Sequence, residues 1–195
     1  AEQRRLAPRV AAARATATVV GSDLTLVALD AYLRAALEVN AEEPGCRVPW
    51  WLLAGIGRVE SGHGTFATST LDGAGTARPS ITGIALDGGR GTAVITDTDG
   101  GVLDGDTVSD RAVGPMQFIP STWARYAADG NGDAIADPQN LYDAAHAAAR
   151  YLCVAASPLD DPTARSRAVH AYNHSDAYVT TVLGFADEYA RFSPA

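Results

Sequence analysis

The sequence predicts a mainly α fold with a small inserted β-hairpin lobe. Three observations carry this. Several segments repeat apolar residues at helical spacing, each preceded by a residue type that can open a helix. Between them, from about residue 65 to residue 111, Gly, Asp, Thr and Ser dominate, and only short β-prone runs interrupt them. The chain's 195 residues suffice for one sizeable domain. We expect an N-terminal arm over residues 1–21 and a single domain over 22–195 that contains the insert.

The arm is rich in Ala, Arg and Thr without sustained periodicity, and reads as loosely held. Ser22 or Asp23 can cap a helix to about Asn40, with Leu26, Leu29, Leu33 and Leu37 on one stripe. Pro44 and Gly45 mark a loop. Trp50 to Gly64, WWLLAGIGRVESGHG, predicts a helix with Leu53, Ile56 and Glu60 on one side, started by Pro49 and ended by Gly62 or Gly64. In the insert, the runs Ile81–Leu86 and Thr92–Thr96 flank Gly88-Gly89 as a hairpin would. Asp97, Asp99, Asp104 and Asp106 are explained by Asp-Gly turns, more readily than by a cation. Gly114-Pro115 makes a turn, and Pro120 with Ser121 opens a short helix. Leu141 to Cys153 is an alanine-rich helix, Asp161-Pro162 starts another, and Ser175 or Asp176 caps the last, with Val179, Val182, Ala186 and Tyr189 inward.

A net charge of −8 argues against nucleic acid or an anionic membrane surface as the main partner. No run of 18 apolar residues is present. Cys46 and Cys153 are too few for a four-ligand zinc site; they are either two buried thiols or a disulfide, and composition does not decide between these.

The candidate chemistry begins at Glu60. A carboxylate in the last turn of an apolar helix, on its inward side, loses water, and desolvation favours its protonated form. A protonated Glu near neutral pH is what a general acid for glycosidic cleavage requires. The plainer alternative is a surface Glu or one paired with Arg58 or His63. Gln117, between apolar neighbours, either satisfies a backbone group or offers its amide to a sugar. Tyr172 and Asn173 lie at a helix junction, where side chains often face a groove. His170 and His174 have the spacing of HExxH, but Ala171 replaces its Glu, so a zincin is not expected. Asp129, Asn131 and Asp133 have the 1, 3, 5 spacing of an EF-hand loop, although Ala134 stands where Gly is usual and Asn140 where Glu is usual. A longer loop can close on Asp143; alternatively Asn140 and Asp143 form a capping box.

Four segments in order, VESGHG, GPMQFIPSTW, DGNGDAIADPQNLYDAAHAAARYLC and AYNHSDAYV, resemble lytic transglycosylases of the membrane-bound lytic transglycosylase B type. The resemblance spans about Leu24 to Tyr189. It implies a lysozyme-like α domain acting on peptidoglycan glycan strands outside the cytoplasm. Glu60 would be the sole acid/base, and Ser61, Gln117, Tyr172, Asn173 and Tyr178 would line the groove. Asp129, Asn131, Asp133 and Asp143 would match the calcium site of some members, with no cofactor needed for the chemistry. The resemblance favours a Cys46–Cys153 disulfide and an exported monomer that works alongside other cell-wall enzymes. A water-using hydrolase of the same fold, helped by Asp97, Asp99 or Asp110, and a non-catalytic glycan-binding module are the alternatives.

Overall fold

The computed structural model describes residue 10 and residues 13–192. Its helices are α1 (Leu26–Glu42), α2 (Trp50–Ser61), α3 (Pro120–Tyr126), α4 (Leu141–Ala155), α5 (Pro162–Tyr172) and α6 (Asp176–Ala190). Two small antiparallel pairs accompany them: β1 (Thr70–Leu71) with β2 (Ala77–Arg78), and β3 (Thr82–Ala85) with β4 (Arg111–Val113). The expected mainly α architecture is present.

Helix α2 forms the centre. Leu52, Leu53, Ala54, Gly55, Ile56 and Gly57 are all buried in it. It packs on α6 and α1, α1 packs on α4, and α5 joins α4 to α6. Two glycines permit the close approach of α2 to its neighbours. A Cβ on Gly55 would lie 2.7 Å from the Val182 carbonyl of α6, and one on Gly57 would lie 2.0 Å from the Tyr32 hydroxyl of α1. The first collision, with backbone, cannot be relieved without moving a helix, and the second would displace the buried Tyr32 ring.

Helix α1 differs from the expected stripe. Thr25 is its N-cap, accepting from Ala28 N through its side chain. Its buried face is Val27, Ala28, Ala31, Tyr32, Ala35, Ala36 and Val39, while Leu37 is 69 % exposed. The opposing α4 is itself a wall of buried alanines. Small side chains on both helices give a close contact that a leucine stripe would push apart. Much of the expected N-terminal arm, residues 1–9, 11 and 12, lies outside the described residues. The rest of it is tethered: Arg14 pairs with Asp30 at 2.9 Å, and Leu26 N donates to Ala17 O.

The other helix starts follow the sequence. Asp161 caps α5 through Ala164 N and Ser175 caps α6 through Tyr178 N. Cys46 and Cys153 form a disulfide, Cα to Cα 5.2 Å, that ties the loop before α2 to α4.

The insert is built differently from the expected hairpin. β3 pairs with β4 across the whole insert, and the run around Val94 meets Asp87 only through an isolated bridge. Carboxylates hold most of this lobe. Asp97 accepts from the amides of Asp99, Gly100 and Gly101, and Asp99 from Gly101 and Leu103. Local Asx turns compete with a ladder wherever Asp and Gly alternate.

Candidate active site

The end of α2 is a helix stop made by Gly62, which is left-handed at φ 59°, with Gly62 N donating to Arg58 O and His63 N to Gly57 O. This double closure fixes the last turn, which carries Glu60. The Glu60 carboxylate accepts a hydrogen bond from the Tyr178 hydroxyl of α6. Burial pushes the Glu60 carboxyl up to about 7, and the Tyr178 hydrogen bond partly opposes the shift. Burial also holds the Tyr178 phenol far above its ordinary value, so it remains a donor. The alternative partners of Glu60 are engaged elsewhere: Arg58 pairs with Asp23 at 2.8 Å, and His63 contacts Tyr32 and Tyr189.

Beside this turn lies a cleft of about 660 Å³. Gln117, Phe118, Tyr151, Tyr172 and Asn173 line it from the helical body, and Leu86 and Ile95 from the insert. Its aromatic wall is interlocked edge to face, with Tyr172 5.3 Å from Tyr151 and 6.0 Å from Phe118. Tyr172 is fixed by donating to Met116 O at 2.8 Å. Glu60 and Tyr178 do not line the cleft. They stand next to Tyr172, whose phenol is pushed well up by burial first and by the Glu60 charge second.

The structure brings Gln117, Tyr172 and Asn173 together in this cleft. Gln117 also satisfies the backbone, its amide donating to Gly114 O at 2.9 Å, and its own φ is 51°. Ser61 does not line the groove. It is buried, its hydroxyl donating to Pro115 O at 2.6 Å and accepting from Gly64 N at 2.8 Å. Its role is to tie the acid-bearing turn to the GPMQF turn. That turn is equally tight, since a Cβ on Gly114 would lie 1.7 Å from Pro138 O.

Among the described residues no Asp or Glu lines the cleft. Asp97, Asp99 and Asp110 gather in the insert with ligand atoms within 4.8 Å of one another, and their oxygens bind the insert's own amides and the Thr98 hydroxyl.

The 129–143 loop follows the EF-hand path at one telling point: Ala134 takes φ 69°, the conformation a glycine supplies there. Asp143 reaches this loop from α4, accepting from Gly130, Asn131 and Asp137 amides. Asn140 caps α4 through Tyr142 N, but Asp143 does not return to Asn140, so the capping box is only half made. Asp129 accepts from Gly132, Asp133 and Ala134 amides.

Residues 110–156 match the family model of the transglycosylase SLT domain. Among curated proteins none matches significantly. SltB3 from Pseudomonas aeruginosa, in complex with NAG-anhNAM-pentapeptide, superposes with a TM-score of 0.51 at 16 % identity, covering 93 % of this chain and 66 % of that one. The Escherichia coli lytic transglycosylase SLT35, in complex with bulgecin A, gives 0.48 at 15 % identity over 84 % of this chain and 76 % of that one. A structure of SLT35 in complex with calcium gives the same values. Residues 110–156 are thus similar to the transglycosylase SLT domain, and the fold of the chain is the one seen in SltB3. These likenesses do not distinguish the membrane-bound B type from other SLT proteins.

Proposed function

We propose that this protein is a peptidoglycan lytic transglycosylase of the membrane-bound lytic transglycosylase B type, with Glu60 as its single acid/base. It would cleave the β-1,4 bond between N-acetylmuramic acid and N-acetylglucosamine. Glu60 gives its proton to the bridging oxygen as the bond to the muramoyl C1 breaks. The resulting carboxylate then takes the proton of the muramoyl 6-hydroxyl, whose oxygen closes on C1. The products are a free 4-hydroxyl and a 1,6-anhydro sugar, and no water is consumed. The observation that carries this reading is a Glu whose carboxyl burial pushes up to about 7, next to Tyr172 of a cleft that no acid among the described residues lines. Gln117 and Asn173 supply polar groups for the cationic transition state. The anhydro sugar seen with SltB3 is of the product class expected here. A hydrolase would need a second carboxylate to position water, and Asp97, Asp99 and Asp110 spend their oxygens on the insert. A disulfide at Cys46–Cys153 supports an exported protein.

The test is mass spectrometry of peptidoglycan digested by the wild type and by Glu60→Gln. The wild type should release muropeptides ending in 1,6-anhydro-N-acetylmuramic acid; the variant should fold, bind strands and release almost none. Reducing-end products would move the reading to a hydrolase.

We further propose that Asp129, Asn131, Asp133 and Asp143 hold a structural calcium. The donor set is the all-oxygen kind that calcium takes. Asp143 is fully buried, and among the described residues no Arg or His pairs with it. Burial, with Asp129's like charge adding to it, raises its pKa. A cation there would offset both, stabilising the fold without entering the chemistry. The melting midpoint should rise in millimolar calcium relative to EDTA; identical midpoints would leave the loop closed by its amides alone.

A further inference from the structure

A chain of hydrogen bonds, buried at Tyr32, His63 and Tyr189, meets the acid-bearing turn. His63, 2 % exposed, lies with Nδ1 3.1 Å from the Tyr32 hydroxyl and Nε2 2.8 Å from the Tyr189 hydroxyl. Tyr189 donates to Asp23 at 2.6 Å, and Asp23 pairs through its other oxygen with Arg58. The proton positions follow. Tyr189 has one hydroxyl hydrogen and gives it to the carboxylate, so it must accept from His63, and Nε2 carries the proton. Tyr32 is wholly buried against Gly57, and among the described residues His63 is its hydroxyl's hydrogen-bond partner. Nδ1 is therefore the acceptor of the Tyr32 hydrogen, and the imidazole is neutral. A second proton on Nδ1 would orphan that buried hydrogen.

The chain grips the turn on both flanks of Glu60. Arg58 and His63 bracket Glu60 in sequence, and both end on Asp23, Arg58 directly and His63 through Tyr189 as well as by its own Nε2, 3.6 Å from Asp23 Oδ1. Helix α6 also supplies two tyrosines to this turn: Tyr178 to Glu60 and Tyr189 to His63. Between them lies the close approach of Gly55 to Val182. The register of α6 on α2 is thus pinned at both ends.

We infer that His63, held as its neutral Nε2–H tautomer by Tyr32 and Tyr189, is a positioning residue that sets the Tyr178–Glu60 hydrogen bond. This rests on Glu60 being the acid, but it is testable without activity. Loss of the His63–Tyr189 link frees the far end of α6, and the Tyr178 donor loosens from Glu60. That donor is what opposes the upward shift of the Glu60 carboxyl. The charged and titratable groups facing His63 are Asp23, Arg58, Tyr32 and Tyr189, and those facing Glu60 are Tyr178 and Tyr172.

The experiment is carboxyl-carbon NMR titration of Glu60 in the wild type, His63→Asn, Tyr189→Phe and Tyr178→Phe. The first two variants should move the Glu60 titration upward, toward that of Tyr178→Phe. With soluble glycan strands their kcat should fall roughly ten-fold with KM nearly unchanged, the scale on which small misplacements act. Nitrogen-15 spectra of the wild type should show His63 as the Nε2–H tautomer at neutral pH. A Glu60 titration unchanged in folded His63→Asn and Tyr189→Phe overturns the inference, and so does an Nδ1–H tautomer or an imidazolium in the wild type, even if the variants fail to fold. A wild type that makes no anhydro product would sink the functional reading alone.

Discussion

The turn that ends α2 and the lobe over residues 86–110 are both irregular backbone, yet opposite means hold them. The turn is fixed by side chains arriving from distant elements: Tyr178 and Tyr189 from α6, Tyr32 from α1, and Asp23. The lobe is fixed mainly by carboxylates bonding amides a few residues away, and it leaves Val94, Val102 and Val108 exposed. Long-range tethers make the turn inseparable from the core. Local tethers let the lobe fold without a core of its own, and leave it free to open without the body.

Removing the disulfide should strike the body hardest. Cys46→Ala with Cys153→Ala should lower global stability by roughly 4–5 kcal/mol on the chain-entropy view, read by urea unfolding. Hydrogen exchange in the lobe should then rise no more than in the helices. Conversely, Asp110→Ala removes the acceptor of both Thr98 N and the Thr98 hydroxyl. The cost should be about 1–3 kcal/mol, expressed as faster exchange between residues 86 and 110 with a nearly unchanged global transition. If the whole protein melts in step, the two regions are one cooperative unit and the lobe does not open on its own. The smallest effect concerns Ala134, a non-glycine at φ 69°. Ala134→Gly should relieve backbone strain and stabilise by on the order of 0.5–1 kcal/mol, the relief being partly offset by glycine's greater unfolded freedom. A loss of stability would mean that the alanine methyl packs usefully.

The same division explains what the sequence made legible. Helix boundaries at α2, α5 and α6 were readable because capping residues and apolar spacing act locally. Glu60 was readable because an inward carboxylate at a helix end is a local pattern. Gln117, Tyr172 and Asn173, expected together at a groove, do meet in one cleft, whereas Ser61 and Tyr178, expected with them, do not line it. The Ser61 hydroxyl finds the Pro115 carbonyl, 54 positions away. Tyr32 and the inward alanines of α1 were missed because α4 decides which face is buried. The pairing of β3 with β4 was missed because the nearer run, Thr92–Thr96, looked equally fit for it. His63 was noticed only as a partner for Glu60, since nothing in the sequence announces two tyrosines from distant helices.

In the proposed reaction one protonated Glu60 breaks the glycosidic bond. The rate of anhydro-product release from soluble glycan strands as a function of pH reads that proton. Glu60 must carry a proton to act, and its carboxyl lies at about 7. The rate should therefore hold below that pH and fall above it, approaching ten-fold for each further unit. A rate that stays level to pH 9, or climbs through neutrality, would contradict the assignment of the acid to Glu60.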